Sequence, residues 1–174
     1  MSAVVIDTNV LLLVDGQGQH MSDDCRAECE ARLLAVQVGE QTVLDDGWHI
    51  LREYQHKLEP NKSPTPGSAF VKWLLQRMAM PQHVSLVSIT PTNAEQTKFA
   101  EFPQDVDLEA SFDPADRKFV AAANVHPEKP PILESADSKW LGWEASLAAH
   151  GIHLEILCRC ELEEIRLRKT TLRK

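Results

Sequence analysis

The sequence lacks a hydrophobic segment long enough to cross a membrane, and its first residues lack a basic region followed by a long apolar segment. No run of about 18 apolar residues occurs, and the apolar stretch nearest the N-terminus is interrupted by Asp7. The chain also contains no internal repeat and no low-complexity tract. We therefore expect a cytoplasmic protein with one domain over residues 1–174, because a chain of this length that is 43% hydrophobic suffices for a single core.

Cysteine is scarce, which argues against a fold that depends on disulfides. The four cysteines are Cys25, Cys29, Cys158 and Cys160. A core of this size needs no covalent support, so we expect reduced thiols that pack as small hydrophobic side chains in a reducing compartment. A zinc site built from all four is the alternative, although the two pairs lack the usual two-residue spacers.

Basic residues are outnumbered, at 18 against 26 acidic ones, and the net charge is −8. This balance argues against a protein that coats nucleic acid nonspecifically, but it is compatible with an enzyme that combines an acidic metal site with a local basic patch. The C-terminal segment "IRLRKTTLRK" contains five basic residues, Arg166, Arg168, Lys169, Arg173 and Lys174. Both a contact surface and the solvated end of a terminal helix fit this segment.

Apolar patterns predict strands and helices that alternate along most of the chain. The predicted strands are the run before Asp7, "QTVLDD", "HVSLVSIT", "PPILESAD" and "IHLEILCR". The predicted helices are "SDDCRAECEARLLAVQVGE" with Ser22 as its cap, "GWHILREYQHKL", "SAFVKWLLQRMAM", "DPADRKFVAAANVH", "SKWLGWEASLAAHG" and "CELEEIRLRK". Alternation of this kind predicts an α/β three-layer sandwich, with a parallel sheet between helices on both faces.

Several segments are less regular. Residues 10–14 could continue the first strand or begin a packed helix. The three prolines of "EPNKSPTPG" predict a loop, and we expect one helix beginning near Asn93 within an otherwise irregular stretch. Pro114 is expected near the first turn of the helix that follows it.

Four acidic residues lie where separate elements could bring them together. Asp7 follows the first strand and Asp137 the fourth, and the carboxyl ends of parallel strands meet at one edge of the sheet. Asp116 is expected in the first turn of a helix, and Glu53 lies beside the apolar stripe of another. Four such carboxylates could bind Mg²⁺ or Mn²⁺. Taken singly, Asp7 and Asp137 could cap helices, Asp116 could favour a helix dipole, and Glu53 could be a surface charge.

The order of these motifs resembles that of PIN-domain nucleases over most of the chain. The matching segments are "VIDTNVLL" with Asp7, "ILREYQ" with Glu53, "ADRKFVAAA" with Asp116 and "LESADSKWL" with Asp137. The resemblance implies a five-stranded parallel sheet of order 3-2-1-4-5. It also implies Mg²⁺- or Mn²⁺-dependent cleavage of RNA, or in some members of structured DNA, with these four acids as metal ligands and catalytic residues.

Further residues and partners follow from the same resemblance. Asn9 and Ser135 are expected to orient the ligands, and Asp113, one helical turn before Asp116, is an alternative third ligand, although the apolar pattern that follows favours Asp116. Segments around residues 60–82 and 91–112 make the chain longer than a minimal toxin-type member. A toxin paired with an antitoxin, a free-standing nuclease and a homodimer all stay open.

Three other functions are weighed against this one. A receiver-like signalling domain would use the acid pair of "VLDDG", but no lysine stands at a later strand end. A phosphatase with an aspartyl nucleophile would need an acid where Asn9 stands. The strongest alternative is a catalytically silent PIN-like interaction module, which has no need to bear the mutual repulsion of four acids.

Overall fold

The computed structural model describes residues 2–18, 20–58 and 64–171. Within these residues the strands are β1 (Ala3–Ile6), β2 (Gln41–Asp45), β3 (Val84–Val87), β4 (Ile132–Glu134) and β5 (Leu154–Ile156). The helices are α1 (Thr8–Val14), α2 (Asp23–Gly39), α3 (His49–Leu58), α4 (Pro66–Leu75), α5 (Val106–Ser111), α6 (Arg117–Val125), α7 (Trp140–Ala149) and α8 (Arg159–Thr171). None of the described helices is long and apolar enough to cross a membrane.

The five strands form one parallel sheet in the order β3-β2-β1-β4-β5, with helices packed around it. The predicted fold class and strand order are therefore confirmed. β1 lies at the centre, pairs with β2 on one side and β4 on the other, and is completely buried, as its run of apolar residues requires. Residues at the carboxyl ends of β1 and β4 consequently lie side by side at one edge of the sheet.

Local sequence signals account for most helix boundaries. The side chain of Ser22 accepts a hydrogen bond from the N–H of Cys25 and caps α2 as predicted. The predicted apolar stripe of α3 is buried through Ile50, Leu51 and Tyr54. The open question about residues 10–14 is resolved in favour of a helix, because α1 begins directly after Asp7.

The irregular segments contain three wrong predictions. No helix begins at Asn93. Its carboxamide oxygen accepts hydrogen bonds from the N–H groups of Thr97 and Lys98 and closes a turn instead. The helix of this region is α5, which begins at Val106. The expected loop ends sooner, because Pro66 occupies the first turn of α4. The helix expected over "DPADRKFVAAANVH" begins later than predicted, because Pro114 lies in the turn just before α6, which starts at Arg117.

The expectation of four reduced thiols is also wrong. Cys25 at the start of α2 and Cys158 just before α8 form a disulfide, with their Cα atoms 5.4 Å apart. These residues are separated by 133 positions in sequence, and the fold brings them together where α2 packs near the end of β5. Cys29 is a free buried thiol and Cys160 a free exposed one. The expectation of a reducing compartment was based on reduced cysteines, and the disulfide removes that basis.

Candidate metal centre

Two carboxyl groups are buried at the carboxyl ends of the adjacent strands β1 and β4. Asp7 is 1% exposed and Glu134 is 0% exposed. One oxygen of each is satisfied by backbone: Asp7 Oδ1 accepts the N–H of Asn9 at 2.7 Å, and Glu134 Oε1 accepts the N–H groups of Ala136 and Asp137 at 2.9 and 2.7 Å. These bonds fix the orientation of both side chains at the point where the chain leaves the sheet.

The second oxygen of each carboxyl group lacks a protein donor. Asp7 Oδ2 and Glu134 Oε2 are fully buried, and no N–H or O–H group in the described part of the chain donates to either. The two carboxyl groups lie within hydrogen-bonding reach of each other, so a bond between them requires a proton on one. Burial, and then the charge of Glu134, raise the pKa of Asp7 well above its ordinary value. Burial likewise raises the pKa of Glu134 to about 7.

Asp116 extends this pair into a larger group of acids. It occupies the N-cap position of α6, but its side chain makes no capping hydrogen bond. Burial, and then the negative charge of Asp7, raise the pKa of Asp116 to about 8. The carboxyl group of Asp116 therefore lies close enough to Asp7 to feel its charge and does not cap the helix.

Asp113, the alternative to Asp116, is engaged elsewhere. Its Oδ1 accepts the N–H of Ala115 at 3.1 Å, and its Oδ2 forms an ion pair of 3.2 Å with Lys139. Burial would raise the pKa of Asp113, but these two contacts outweigh it, so the pKa lies below its ordinary value. Asp113 therefore belongs to an outer ion pair, and the geometry favours Asp116 as the third acid of the centre.

Glu53 faces the same centre from α3, with both of its oxygens already in contact. Thr8 Oγ1 donates to Oε1 at 2.6 Å, and Lys118 Nζ lies 2.6 Å from Oε2. Lys118 is 7% exposed and also donates to the carbonyl of Ala115. The interpretation of Glu53 as a solvated surface charge is therefore wrong. Lys118 brings a positive charge into the group of acids.

Asp137 occupies the outer side of the group. Its Oδ1 accepts the N–H of Lys139 at 2.9 Å, and its Oδ2 is 4.0 Å from the Lys139 ammonium. Glu134 links Asp137 to the buried pair, since it accepts the N–H of Asp137. We refer to Asp7, Glu53, Asp116, Glu134 and Asp137 as the carboxylate cluster.

The two predicted orienting residues both lie beside the cluster. Asn9 contacts Asp7 through its backbone N–H, so this contact does not depend on its side chain. Ser135 is fully buried between Glu134 and the thiol of Cys29, and burial raises the pKa of that thiol to about 11. Tyr54 secures the framework, because its buried hydroxyl donates to the carbonyl of Ile6 at the end of β1.

Sequence reasoning missed Glu134 and Lys118. The signal for Glu134 was available: like Asp7, it is an acid directly after an apolar strand segment, here "PPIL". Lys118 carried no comparable signal, because a lysine in "ADRKFVAAA" is equally consistent with the exposed face of α6. Its position follows only from how α6 packs against α3.

The donor set suits a hard divalent cation. All the donors are carboxylate oxygens, which Mg²⁺ and Mn²⁺ prefer, and two of them are buried without a protein donor. A cation there would relieve the repulsion that raises the pKa of Asp7, Glu134 and Asp116. The chemistry of these donors therefore suits Mg²⁺ or Mn²⁺, and Asp7 and Glu134 already lie within reach of each other. Among the described residues, no three of the acids bring their oxygen atoms within 4.8 Å of one another, so Asp116, Asp137 or Glu53 would have to move inward to share a cation with this pair.

Comparisons with models of protein families, with curated proteins and with solved structures found no match.

Proposed function

We propose that the protein is a Mg²⁺- or Mn²⁺-dependent nuclease of the PIN type that hydrolyses phosphodiester bonds in single-stranded RNA. The observation that carries the proposal is that Asp7 and Glu134 lie within hydrogen-bonding reach of each other and that each keeps one fully buried oxygen with no donor in the described residues. Burying two acids together costs stability unless a cation or a shared proton compensates. We take the presence of this destabilising acid pair in the core as support for a functional role in binding a cation.

Position in the fold supports the same conclusion. In open parallel sheets, ligands bind beyond the carboxyl ends of the strands, beside the point where the strand order reverses. Here that point lies between β1 and β4, the strands that precede Asp7 and contain Glu134. The reaction class, metal-dependent hydrolysis of phosphodiester bonds, is suggested by the order of motifs that resembles PIN-domain nucleases.

Each residue of the cluster has a definable part in such a reaction. A bound divalent cation supplies Lewis-acid stabilisation of a phosphoryl oxygen and lowers the pKa of water. Asp7 and Glu134 provide the buried negative charge, and their backbone hydrogen bonds hold them in fixed orientation. Asp116 would hold the cation from the start of α6, and the positive charge of the cation would lower the pKa that burial and Asp7 raise to about 8 in its absence. Asp137 faces the outer side, where a phosphodiester strand would approach.

One observation favours a second candidate, the catalytically silent interaction module. Lys118 already pairs with Glu53 at 2.6 Å, so part of the negative charge is neutralised from within. In a silent module this pairing would be permanent and a divalent cation would have no effect. In a nuclease, Lys118 would be displaced from Glu53 or would contribute to holding the phosphate.

The test is a cleavage assay on labelled single-stranded RNA with Mn²⁺, with Mg²⁺ and with EDTA. Wild-type protein should cleave with either metal and not with EDTA, whereas Asp7→Asn and Glu134→Gln should abolish detectable cleavage. Asp23→Asn is the matched control, because Asp23 is an exposed acid on α2 outside the cluster. Wild type that fails to cleave with either metal, or Asp7→Asn that cleaves as well as wild type, would refute the proposal.

A further inference from the structure

A cavity of about 520 Å³ opens beside the carboxylate cluster, between the start of α7 and the C-terminal half of α8. Three basic side chains line it, those of Lys139, Arg166 and Lys169, and none of its lining residues in the described part of the chain is acidic. The aromatic ring of Trp143 and the hydroxyl of Ser138 complete its surface. We call this cavity the basic groove.

The basic groove is continuous with the carboxylate cluster. Ser138 and Lys139 directly follow Asp137 in sequence, and the Lys139 ammonium lies 3.2 Å from Asp113 and 4.0 Å from Asp137. From the other side, Lys169 Nζ donates to Ser138 Oγ at 3.3 Å, so α8 touches the segment that carries Asp137. An anion bound in the groove would therefore lie at the outer edge of the cluster.

Lys139 pairs with Asp113, but the other two basic side chains of the groove have no acidic partner in the described residues. Arg168, on the same helix, pairs with Glu164 at 3.3 Å and is 75% exposed. Among the described residues, by contrast, no carboxylate lies within 4.0 Å of the basic group of Arg166 or Lys169. In a protein with a net charge of −8, unpaired basic groups around one cavity indicate an anionic ligand.

Trp143 adds a rigid aromatic surface. Its ring packs on Phe112 with centroids 4.1 Å apart, and it meets Trp140 edge to face at 5.9 Å. These contacts hold the ring in place, while the part that lines the groove stays accessible. A positively charged groove combined with an aromatic ring is the arrangement by which proteins bind single strands, because a base that is free of its neighbours can stack on the ring.

We propose that the basic groove binds single-stranded nucleic acid, with phosphates on Arg166, Lys169 and Lys139 and one unstacked base against Trp143. The proposal rests on the nuclease function, because it describes how a strand would be led to the carboxylate cluster. It also assigns different roles to the basic residues of the C-terminal segment. Arg166 and Lys169 contact the strand, Arg168 does not, and Arg173 and Lys174 lie outside the described residues.

The test measures binding without cleavage, by fluorescence anisotropy of a labelled single-stranded RNA in EDTA over a series of salt concentrations. Arg166→Gln and Lys169→Gln should each weaken binding and flatten the slope of log affinity against log salt by about 0.7, the loss of one phosphate contact. Arg168→Gln is the matched control, since it removes the same charge from the same helix and should bind as wild type. Single-stranded DNA of the same sequence and an RNA duplex complete the series.

Trp143 is tested in two ways, because its packing on Phe112 also supports the fold. Trp143→Leu should weaken binding roughly fivefold or more while leaving the salt slope unchanged. In wild type, photocrosslinking with RNA that carries 5-iodouridine should label the peptide that contains Trp143, a result that requires no substitution. A crosslink confined to other peptides would overturn the stacking contact.

The outcomes separate the groove from the nuclease function. If Arg166→Gln, Lys169→Gln and Arg168→Gln bind RNA equally well, or if duplex RNA binds as tightly as the single strand, the groove proposal is wrong whatever the cleavage assay shows. If the two groove variants bind weakly but wild type does not cleave with Mn²⁺ or Mg²⁺, the groove proposal stands and the nuclease proposal fails.

Discussion

Replacing Glu134 by Gln tests the buried acid pair through stability alone. The Gln carbonyl can still accept the N–H groups of Ala136 and Asp137, and its amide can donate to the Asp7 oxygen that lacks a donor. The variant therefore keeps the shape of the site and removes one ionisation. Without metal, Glu134→Gln should be more stable than wild type at alkaline pH, because it does not bury a second negative charge beside Asp7.

The size of this effect follows from the pKa of Glu134, which burial raises from 4.5 to about 7. The folded protein holds this proton more tightly than the unfolded chain, so the stability of wild type falls as pH rises from about 4.5 to about 7. The full difference corresponds to about 3 kcal/mol. For a chain of this length, that is a change in Tm of roughly 6–12 °C.

The assay is thermal unfolding of both proteins in EDTA at pH 4.5 and pH 8. Glu134→Gln should match wild type at pH 4.5 and exceed it at pH 8, while Glu30→Gln, which changes an exposed acid on α2, should follow wild type at both. Excess Mn²⁺ at pH 8 should stabilise wild type more than Glu134→Gln, by about 2.7 kcal/mol in wild type at 100 times the dissociation constant. A Glu134→Gln protein less stable than wild type at pH 8 in EDTA would refute the reasoning.

Three further predictions concern the surroundings of the cluster. Lys118→Met should lower stability in EDTA by about 2 kcal/mol, because the acids lose their internal cation, and Mn²⁺ should recover the loss; unchanged unfolding in EDTA would contradict this. Asp116→Asn should weaken Mn²⁺ binding measured by calorimetry at least tenfold and Asp113→Asn much less, whereas the reverse order would make Asp113 the ligand. Dithiothreitol should lower the free energy of unfolding of wild type by about 2–5 kcal/mol, seen as a lower Tm, and should leave the Tm of the Cys25→Ser, Cys158→Ser double variant unchanged. Equal responses of the two proteins would show that the disulfide adds no stability.

The fold was predictable from the sequence because its signals are local and repeated. Apolar runs that end in an acid, as at Asp7, mark buried parallel strands, and the cap at Ser22 marks the start of a helix. The wrong predictions fall where a local signal was ambiguous. Asn93 suits a helix start and a turn equally well, and its side chain closes a turn here.

The candidate site was only partly predictable. Asp7 and Asp137 could be found because the carboxyl ends of parallel strands meet at one edge, whereas the same signal at Glu134 was missed. Contacts that depend on tertiary packing could not, and the clearest cases are the Lys118–Glu53 ion pair and the Cys25–Cys158 disulfide. In both cases the fold brings together residues that are far apart in sequence, and the local sequence around either residue does not specify the contact.

The most direct test of the metal centre is anomalous X-ray diffraction from crystals of the wild-type protein soaked in Mn²⁺. An anomalous peak within coordination distance of Asp7 Oδ2 and Glu134 Oε2 is expected, since these buried oxygens lack a donor among the described residues. The peak should be absent from crystals of Glu134→Gln grown and soaked in the same way. A fully soaked wild-type crystal with no peak at the carboxylate cluster would contradict the metal centre on which the proposed function depends.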